Sequence, residues 1–89
     1  MRKIVQTGRF RKDFKQMKKR GKNQEKLFYA VELLSKKGYL PAEFRSHKLS
    51  SEWGKAWECH IEPDWLVIYT ITDKEILLIR TGTHADLFN

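Results

Sequence analysis

The sequence predicts a small α+β domain in which a helical hairpin packs on an antiparallel sheet, in the order β-α-α-β-β-β. Two observations support this fold class. Apolar residues recur at helical spacing as far as Lys37, and runs of β-branched and aromatic residues follow Pro41. A chain of 89 residues is expected to form a single domain, residues 1–89, with one modest core.

The first elements are a short strand and a basic amphipathic helix. The pair Ile4–Val5 is suited to an opening strand. Phe10, Phe14 and Met17 follow at positions i, i+4 and i+7, so they form one apolar stripe on a helix. Gly21 is expected to end this helix, because glycine readily adopts the left-handed conformation of a helix C-terminus.

The second helix is expected to run from a cap at Asn23 to about Lys37. Gly38 and Pro41 stop it. Its buried stripe consists of Leu27, Ala30, Val31 and Leu34. The loop between the two helices is short, so the helices are expected to form an antiparallel hairpin.

Three strands are expected after Pro41: Trp57–Ile61, Trp65–Thr72 and Glu75–Thr81. Pro63 and Asp64 mark the turn between the first two. The link 72–74 is short enough for a hairpin between the last two. Because the last two runs are apolar on both faces, they are expected to be central strands covered by the helices.

The positive charge is concentrated at one end of the chain. The whole sequence has 18 basic and 11 acidic residues, a net charge of +7. Residues 1–26 carry a net charge of +9, whereas residues 27–89 carry −2. The basic segment indicates a polyanionic partner, although a merely solubilising helix surface explains it equally well. At 40% hydrophobic residues, the chain is too apolar for a disordered basic tail.

The sequence favours a cytosolic location. Arg2 and Lys3 are followed by no apolar segment of the kind that a secretory signal contains. The longest apolar stretch, 65–71, is far shorter than the ~20 residues of a membrane span. The single cysteine, Cys59, excludes an internal disulfide framework and a multi-cysteine zinc site.

The strand 57–62 alternates apolar and polar residues, so its two faces carry different chemistry. Cys59 is expected to face the helices as a core residue, and metal binding by the Cys59–His60 pair is disfavoured because strand neighbours point in opposite directions. Glu58 and His60 are expected on the other, open face, about 6.5–7 Å apart along the strand. They are a candidate acid–base pair.

The other two histidines, His47 and His84, lie in polar, turn-rich segments. Each one alone is typical of a surface or capping residue. The three histidines are separated by spacings that match no zinc signature, so no metal is expected. Nucleotide-binding and nucleophile-elbow motifs do not occur, and Ser50 and Ser51 lack the surroundings of a catalytic serine.

Three blocks of the sequence together resemble a known family. They are 47–49 with Trp53, 58–69, and 80–88. The chain resembles the YafQ group of bacterial type II toxins within the RelE/ParE superfamily, over essentially its whole length. The segments H-I-E-P-D-W and T-G-T-H-A-D-L-F are specific to that group.

The resemblance implies a RelE-like microbial RNase-type fold and a ribosome-dependent endoribonuclease that cleaves mRNA in the decoding site. It implies the 70S ribosome, mRNA and a cognate antitoxin of the DinJ/RelB type as partners, with no cofactor and no membrane. Glu58 stands where the family has an aspartate. The positions that match the family's functional residues are His47, His60, Asp64, Trp65, His84 and Phe88.

Metal-independent RNA cleavage needs a base for the 2′-hydroxyl and an acid for the departing 5′-oxygen, and histidine can serve in either role near neutral pH. On the family pattern, His84 is expected to be the acid. His60, aided by Glu58 or Asp64, is expected to be the base or a stabiliser. His47 is expected to hold the scissile phosphate. The family leaves the division between base and acid open.

A second set of residues is expected to contact RNA through aromatic rings or positive charge. Trp65 and Phe88 would stack on bases or wedge between them, as in many proteins that bind single-stranded RNA. Core packing at the start of a strand is the alternative for Trp65. The basic members of the set are Lys48, Arg80, Lys12, Lys15, Lys18, Lys19 and Arg20.

Three other functions remain open. A ParE-like toxin would have the same fold, inhibit DNA gyrase and lack nuclease chemistry. A non-catalytic basic nucleic-acid-binding module would explain the charge but leave the histidine-containing blocks unexplained. A decayed toxin retained as an antitoxin-binding partner is the third alternative. The three histidines favour the nuclease.

Overall fold

A computed structural model describes residues 1–49 and 53–88, so Ser50 and Ser51 lie outside the described residues. Two helices pack on one face of a five-stranded sheet, and a third short helix follows the last strand. The elements in chain order are β1 Lys3–Gln6, α1 Gly8–Lys19, α2 Gln24–Lys37, a 3₁₀ helix Ala42–Phe44, β2 His47–Lys48, β3 Trp57–Glu62, β4 Trp65–Ile71, β5 Glu75–Gly82 and α3 His84–Phe88.

The sheet has the strand order β1-β5-β4-β3-β2. Strands β3, β4 and β5 pair with one another in antiparallel fashion, as expected, β2 pairs antiparallel with β3, and β4 is central. The opening strand β1 pairs in parallel with β5, so the sheet is mixed. A parallel pairing is possible because the helical hairpin that follows β1 carries the chain back across the sheet.

The helix boundaries follow the capping residues expected from the sequence. The side chain of Asn23 accepts a hydrogen bond from the backbone amide of Glu25, so it caps α2. Gly38 ends α2 in the left-handed conformation, with φ of 82°. The hairpin is joined by ring packing between Phe14 and Phe28, whose centroids lie 5.7 Å apart.

The sheet is covered on both faces. The main core lies between the helices and the sheet and includes Phe10, Met17, Leu34, Cys59, Trp65, Val67 and Ile76. A second, smaller cluster covers the opposite face and consists of the buried residues Ala56, Leu66, Ile68 and Leu87. Cys59 is buried, as expected, and burial raises the pKa of its thiol to about 12.

Of the three short elements that were not expected from the sequence, two carry a histidine, and the 3₁₀ helix does not. Strand β2 has two residues, and its His47 pairs with Glu58 of β3. Helix α3 has five residues and begins at His84. Among the described residues, no helix is long and apolar enough to cross a membrane.

Candidate active site

The three histidines come from three different elements and form a row. The ring centroids of His47 and His60 are 6.2 Å apart, and those of His60 and His84 are 5.9 Å apart. The β2–β3 pairing brings His47 beside β3, and the turn from β5 into α3 brings His84 to the other side of His60. The three histidines that the sequence singled out therefore lie side by side.

Glu58 lies between two of these imidazoles. Its Oε2 atom is 2.9 Å from Nε2 of His47 and 3.5 Å from Nε2 of His60. A carboxylate in this position can orient both rings. It also attracts positive charge on either ring, more strongly at the nearly buried His60 than at the half-exposed His47.

The expectation of an open face around Glu58 and His60 is wrong. Only 5% of Glu58 is exposed, and the side chain of His60 is 12% exposed. The cause is the second apolar cluster, which shares this face of the sheet: Glu58 and His60 pair across the strands with its members Ile68 and Leu66. A buried imidazole and carboxylate interact more strongly than an exposed pair does.

The second acid–base unit consists of His84 and Asp64. Oδ1 of Asp64 accepts a hydrogen bond from the backbone amide of His84 at 2.9 Å and lies 2.7 Å from Nδ1 of its ring. Both contacts lower the pKa of Asp64, and the hydrogen bond from the backbone amide has the larger effect. Because a carboxylate accepts from Nδ1–H, this contact leaves Nε2 of His84 directed away from Asp64 for a substrate. The structure therefore pairs Asp64 with His84, whereas Glu58 is the partner of His60.

Aromatic and basic side chains surround this row. Phe88 is 44% exposed, and its ring lies 6.3 Å from that of His84. Trp53, which the candidate site residues did not include, meets Phe88 edge to face at 6.0 Å. Lys48 is exposed on β2, with its Nζ atom 5.9 Å from the ring centre of Trp57. The T-shaped pair of Trp53 and Phe88 forms an aromatic wall beside His84.

The expectation that Trp65 stacks on RNA is wrong for this structure. The residue is 0% exposed and lies in the main core. Its Nε1 atom donates a hydrogen bond of 2.9 Å to Oγ1 of Thr81. A ring that is enclosed on both faces cannot stack on a base, so the alternative of core packing applies. Trp65 supports the strands that carry the site.

Two of the expected RNA-binding cations are held in ion pairs. Arg80 donates from Nε and Nη2 to the carboxylate of Asp13, at 2.7 and 3.2 Å. Arg20 donates from both Nη atoms to Asp86, at 2.6 and 3.2 Å. The expectation that Arg20 contacts RNA is therefore wrong for this conformation, because its guanidinium is held by Asp86. Local sequence did not indicate this pair, since its members are 66 residues apart. Nη1 of Arg80 makes no hydrogen bond to another described residue.

Four of the other basic residues that were expected to contact RNA lie on the outer side of α1. They are exposed and form no ion pair within residues 1–49 and 53–88: Lys12, Lys15, Lys18 and Lys19. A continuous row of unpaired positive charge on a helix suits a polyanionic surface. This face is distinct from the three-histidine cluster of His47, His60 and His84.

The donor set of His47, Glu58 and His60 has the chemistry of a metal site. One ligand atom from each residue lies within 4.8 Å of the others. Sequence spacing did not indicate this group, because its members come from two strands that pair only in the fold. Two imidazoles and a carboxylate suit zinc or copper.

Comparison with known proteins agrees with the fold and identifies the family. The family model described as "Bacterial toxin of type II toxin-antitoxin system, YafQ" matches residues 2–89. The chain is 46% identical over 88 residues to the mRNA interferase toxin YafQ of Escherichia coli strain B / BL21-DE3, covering 98% of this chain and 96% of that protein.

Solved structures give the same result. The crystal structure of the E. coli DinJ–YafQ complex contains a chain that matches with a TM-score of 0.92 and 44% identity, covering 100% of both chains. A copper-bound mutant toxin from Helicobacter pylori matches with a TM-score of 0.92 and 35% identity, over 99% of this chain and 100% of that one. The mixed α+β architecture is thus that of known toxins, and this chain belongs to the YafQ family of bacterial toxins from type II toxin–antitoxin systems.

Proposed function

We propose that this protein is an mRNA interferase, an endoribonuclease that cleaves mRNA in the decoding site of the ribosome by metal-independent acid–base catalysis. The observation that carries the proposal is the pairing of His84 with Asp64 beside the pairing of His60 with Glu58, with the two rings 5.9 Å apart. Two separately oriented imidazoles at this distance can contact the attacking and leaving oxygens of one phosphodiester.

In the proposed reaction, Nε2 of His60 accepts the proton of the ribose 2′-hydroxyl, because Nδ1 of the same ring is buried. The 2′-oxygen then attacks phosphorus, and His84 donates a proton to the departing 5′-oxygen. The bond between phosphorus and the 5′-oxygen breaks, which leaves a 2′,3′-cyclic phosphate and a free 5′-hydroxyl. Asp64 holds the ring of His84 through Nδ1, and Glu58, 3.5 Å from Nε2 of His60, stabilises the charged form of that ring.

Two groups would place positive charge beside the negatively charged transition state. His47 shares the carboxylate of Glu58 with His60 and lies on the exposed strand β2. Nη1 of Arg80 has no protein partner among the described residues and is available to a phosphate oxygen. The exposed ring of Phe88, backed by the half-buried Trp53, would contact the bases next to the cut, since aromatic rings stack readily on single-stranded RNA.

Metal binding by His47, Glu58 and His60 would interfere with this chemistry. A bound ion would supply Lewis acidity at the cluster. It would also occupy the lone pair with which His60 accepts the proton and the carboxylate oxygens with which Glu58 stabilises the protonated ring. We therefore expect a bound transition metal to inhibit cleavage.

The proposed partners follow from the relatives. One solved relative is a YafQ chain in complex with DinJ. We propose that a cognate DinJ-like antitoxin neutralises this protein, and that residues 1–89 act as one toxin domain in the cytoplasm on 70S ribosomes. The unpaired lysines of α1 would dock on ribosomal RNA.

The test is incubation of the protein with purified 70S ribosomes that carry a defined message, followed by mapping of the 5′ ends. We expect cuts in the codon at the decoding site, and no cuts in the same message without ribosomes. Cleavage should persist with a chelator selective for transition metals, which leaves ribosomal Mg²⁺ in place, and should fall when Cu²⁺ or Zn²⁺ is added.

The same assay separates the alternatives. A gyrase inhibitor or a non-catalytic binding module would leave the message intact on ribosomes, and a gyrase inhibitor would instead block supercoiling of plasmid DNA. Loss of cleavage on chelation, restored by the metal, would contradict the metal-independent mechanism while retaining the nuclease.

A further inference from the structure

The helix that carries His84 is too short to hold itself in place. Helix α3 has five residues, and isolated helices of that length are not stable in water. Leu87 is its one buried residue and anchors it to the second apolar cluster. Further contacts must therefore fix the direction in which the side chain of His84 projects from the backbone.

Thr83 and Asp86 provide the first of these contacts as a reciprocal cap. The backbone amide of Thr83 donates to Oδ2 of Asp86 at 2.9 Å, and the amide of Asp86 donates to the hydroxyl of Thr83 at 3.1 Å. This is the geometry of a capping box, with aspartate in the usual place of glutamate. Gly82 allows the close approach, because a Cβ atom there would lie 2.9 Å from Cβ of Asp86.

Arg20 joins this cap to the end of α1. It is the C-cap residue of α1, and both of its Nη atoms donate to Asp86. Hydrogen bonds from Arg20, followed by the backbone amide of Thr83, hold the pKa of Asp86 well below its usual range. Asp86 thus remains a carboxylate that binds two separate elements at once.

We infer that Arg20 and Asp86 are positioning residues for His84. Asp64 fixes the ring of His84, whereas the Arg20–Asp86 pair fixes the helix from which the ring projects. The end of the basic helix α1 is thereby connected to the proposed acid. This inference rests on the proposed nuclease function, and it assigns Arg20 to catalytic geometry where the sequence suggested contact with RNA.

The test compares Arg20→Gln and Asp86→Asn with two controls in single-turnover mRNA cleavage on programmed 70S ribosomes. Lys19→Gln removes the same charge from the neighbouring position of α1, where the side chain has no ion-pair partner among the described residues. Lys36→Gln removes a charge from an ion pair with Glu32 that lies on α2, away from α3. The measurements are the rate at saturating toxin and the toxin concentration that gives half of that rate.

We expect Arg20→Gln and Asp86→Asn to lower the saturating rate by about 10- to 100-fold, as for a misplaced reacting group. Lys19→Gln should raise the half-saturating concentration instead, and Lys36→Gln should match the wild type. Arg20→Lys, which retains the charge but not the two-point contact, should fall between Arg20→Gln and the wild type. The amide of Leu87, which donates to the carbonyl of Thr83, should exchange faster in both slow variants.

Two results would overturn the inference. One is a wild-type saturating rate in folded Arg20→Gln and Asp86→Asn. The other is a change in the half-saturating concentration alone, which would make Arg20 an RNA contact. Thermal unfolding of each variant separates loss of fold from loss of position. Failure of the wild-type protein to cut mRNA would instead count against the proposed function.

Discussion

At the residue scale, the chemistry depends on which carboxylate accompanies which histidine. Sequence reasoning placed Glu58 and His60 on one side of a strand but left Asp64 as an alternative partner of His60. The structure assigns Asp64 to His84, because the β3–β4 turn and the start of α3 meet there. Such a pairing between residues 20 positions apart depends on tertiary structure, and local periodicity does not contain it.

Trp65 illustrates the opposite case, in which resemblance indicated a role on the surface and the structure gives one in the core. Its neighbours in sequence provided the signal, since the run 65–71 is apolar on both faces, as a central strand is. The indole of Trp65 donates to Thr81, whose hydroxyl in turn donates to the carbonyl of Leu66. This chain of hydrogen bonds joins β4 to β5.

Replacement of Trp65 by phenylalanine should therefore affect stability and leave catalysis intact. The change leaves the buried hydroxyl of Thr81 without its donor, so we expect the free energy of unfolding to fall by about 1–3 kcal/mol. Urea denaturation measures that loss. The cleavage rate on ribosomes, measured where the variant is fully folded, should equal that of the wild type. A folded variant with impaired cleavage would indicate that the indole contacts RNA.

At the element scale, sequence patterns located the opening strand, the two long helices and the three long strands, and missed β2, the 3₁₀ helix and α3. Helix α2 could be predicted because Asn23 and Gly38 mark its ends and four apolar residues form its stripe. Strand β2 has only two residues, and its existence depends on pairing with β3. Helix α3 did leave a local signal, since Thr83 and Asp86 have the spacing of a capping box.

Helix α3 should loosen in acid. The pKa values of Asp64 and Asp86 are both lowered in the folded protein, so each carboxylate contributes stability that is complete above the unfolded-state value of about 4 and is lost as the pH falls toward the folded value. We expect the protection factor of the Leu87 amide to decrease from about pH 4 downward. NMR hydrogen exchange, corrected for the intrinsic effect of pH, measures it.

The amide of Gly38, which donates to Leu34 at the end of α2, serves as the control because no aspartate caps that end. Its protection should change less than that of Leu87 over the same range. Equal loss at both amides would mean that the whole fold melts together. Constant protection of Leu87 down to about pH 2 would contradict a stabilising role for the two carboxylates.

At the scale of the whole molecule, charge and chemistry occupy different surfaces. The net charge of +9 in residues 1–26 follows from the sequence. The sequence does not show which of these basic residues form ion pairs within the protein and which are free to bind a polyanion. Arg20 pairs with Asp86, and Lys22 and Lys26 both pair with Glu62. The cations of α1 that form no ion pair with a described residue, and so remain for a polyanion, are Arg11 and the row of four lysines on the outer side of the helix.

This division predicts a particular dependence on salt. Affinity for ribosomes should fall steeply as KCl is raised at constant Mg²⁺, since docking by phosphate contacts releases counterions. Replacing Lys12, Lys15, Lys18 and Lys19 by glutamine should reduce the slope of log affinity against log salt by about one unit for each phosphate that α1 no longer neutralises. The cleavage rate at saturating toxin should remain close to that of the wild type. An unchanged slope would show that α1 faces away from ribosomal RNA.

Single-turnover cleavage of mRNA on purified ribosomes shows whether the paired histidines cut RNA. Wild-type protein is compared with His84→Ala and His60→Gln, each checked for folding by thermal denaturation. We predict that the wild type cuts at the decoding site and that each variant binds ribosomes normally but cuts about 10²- to 10⁴-fold more slowly, the usual contribution of a general acid or base. A folded His84→Ala protein that cuts at the wild-type rate would contradict the account.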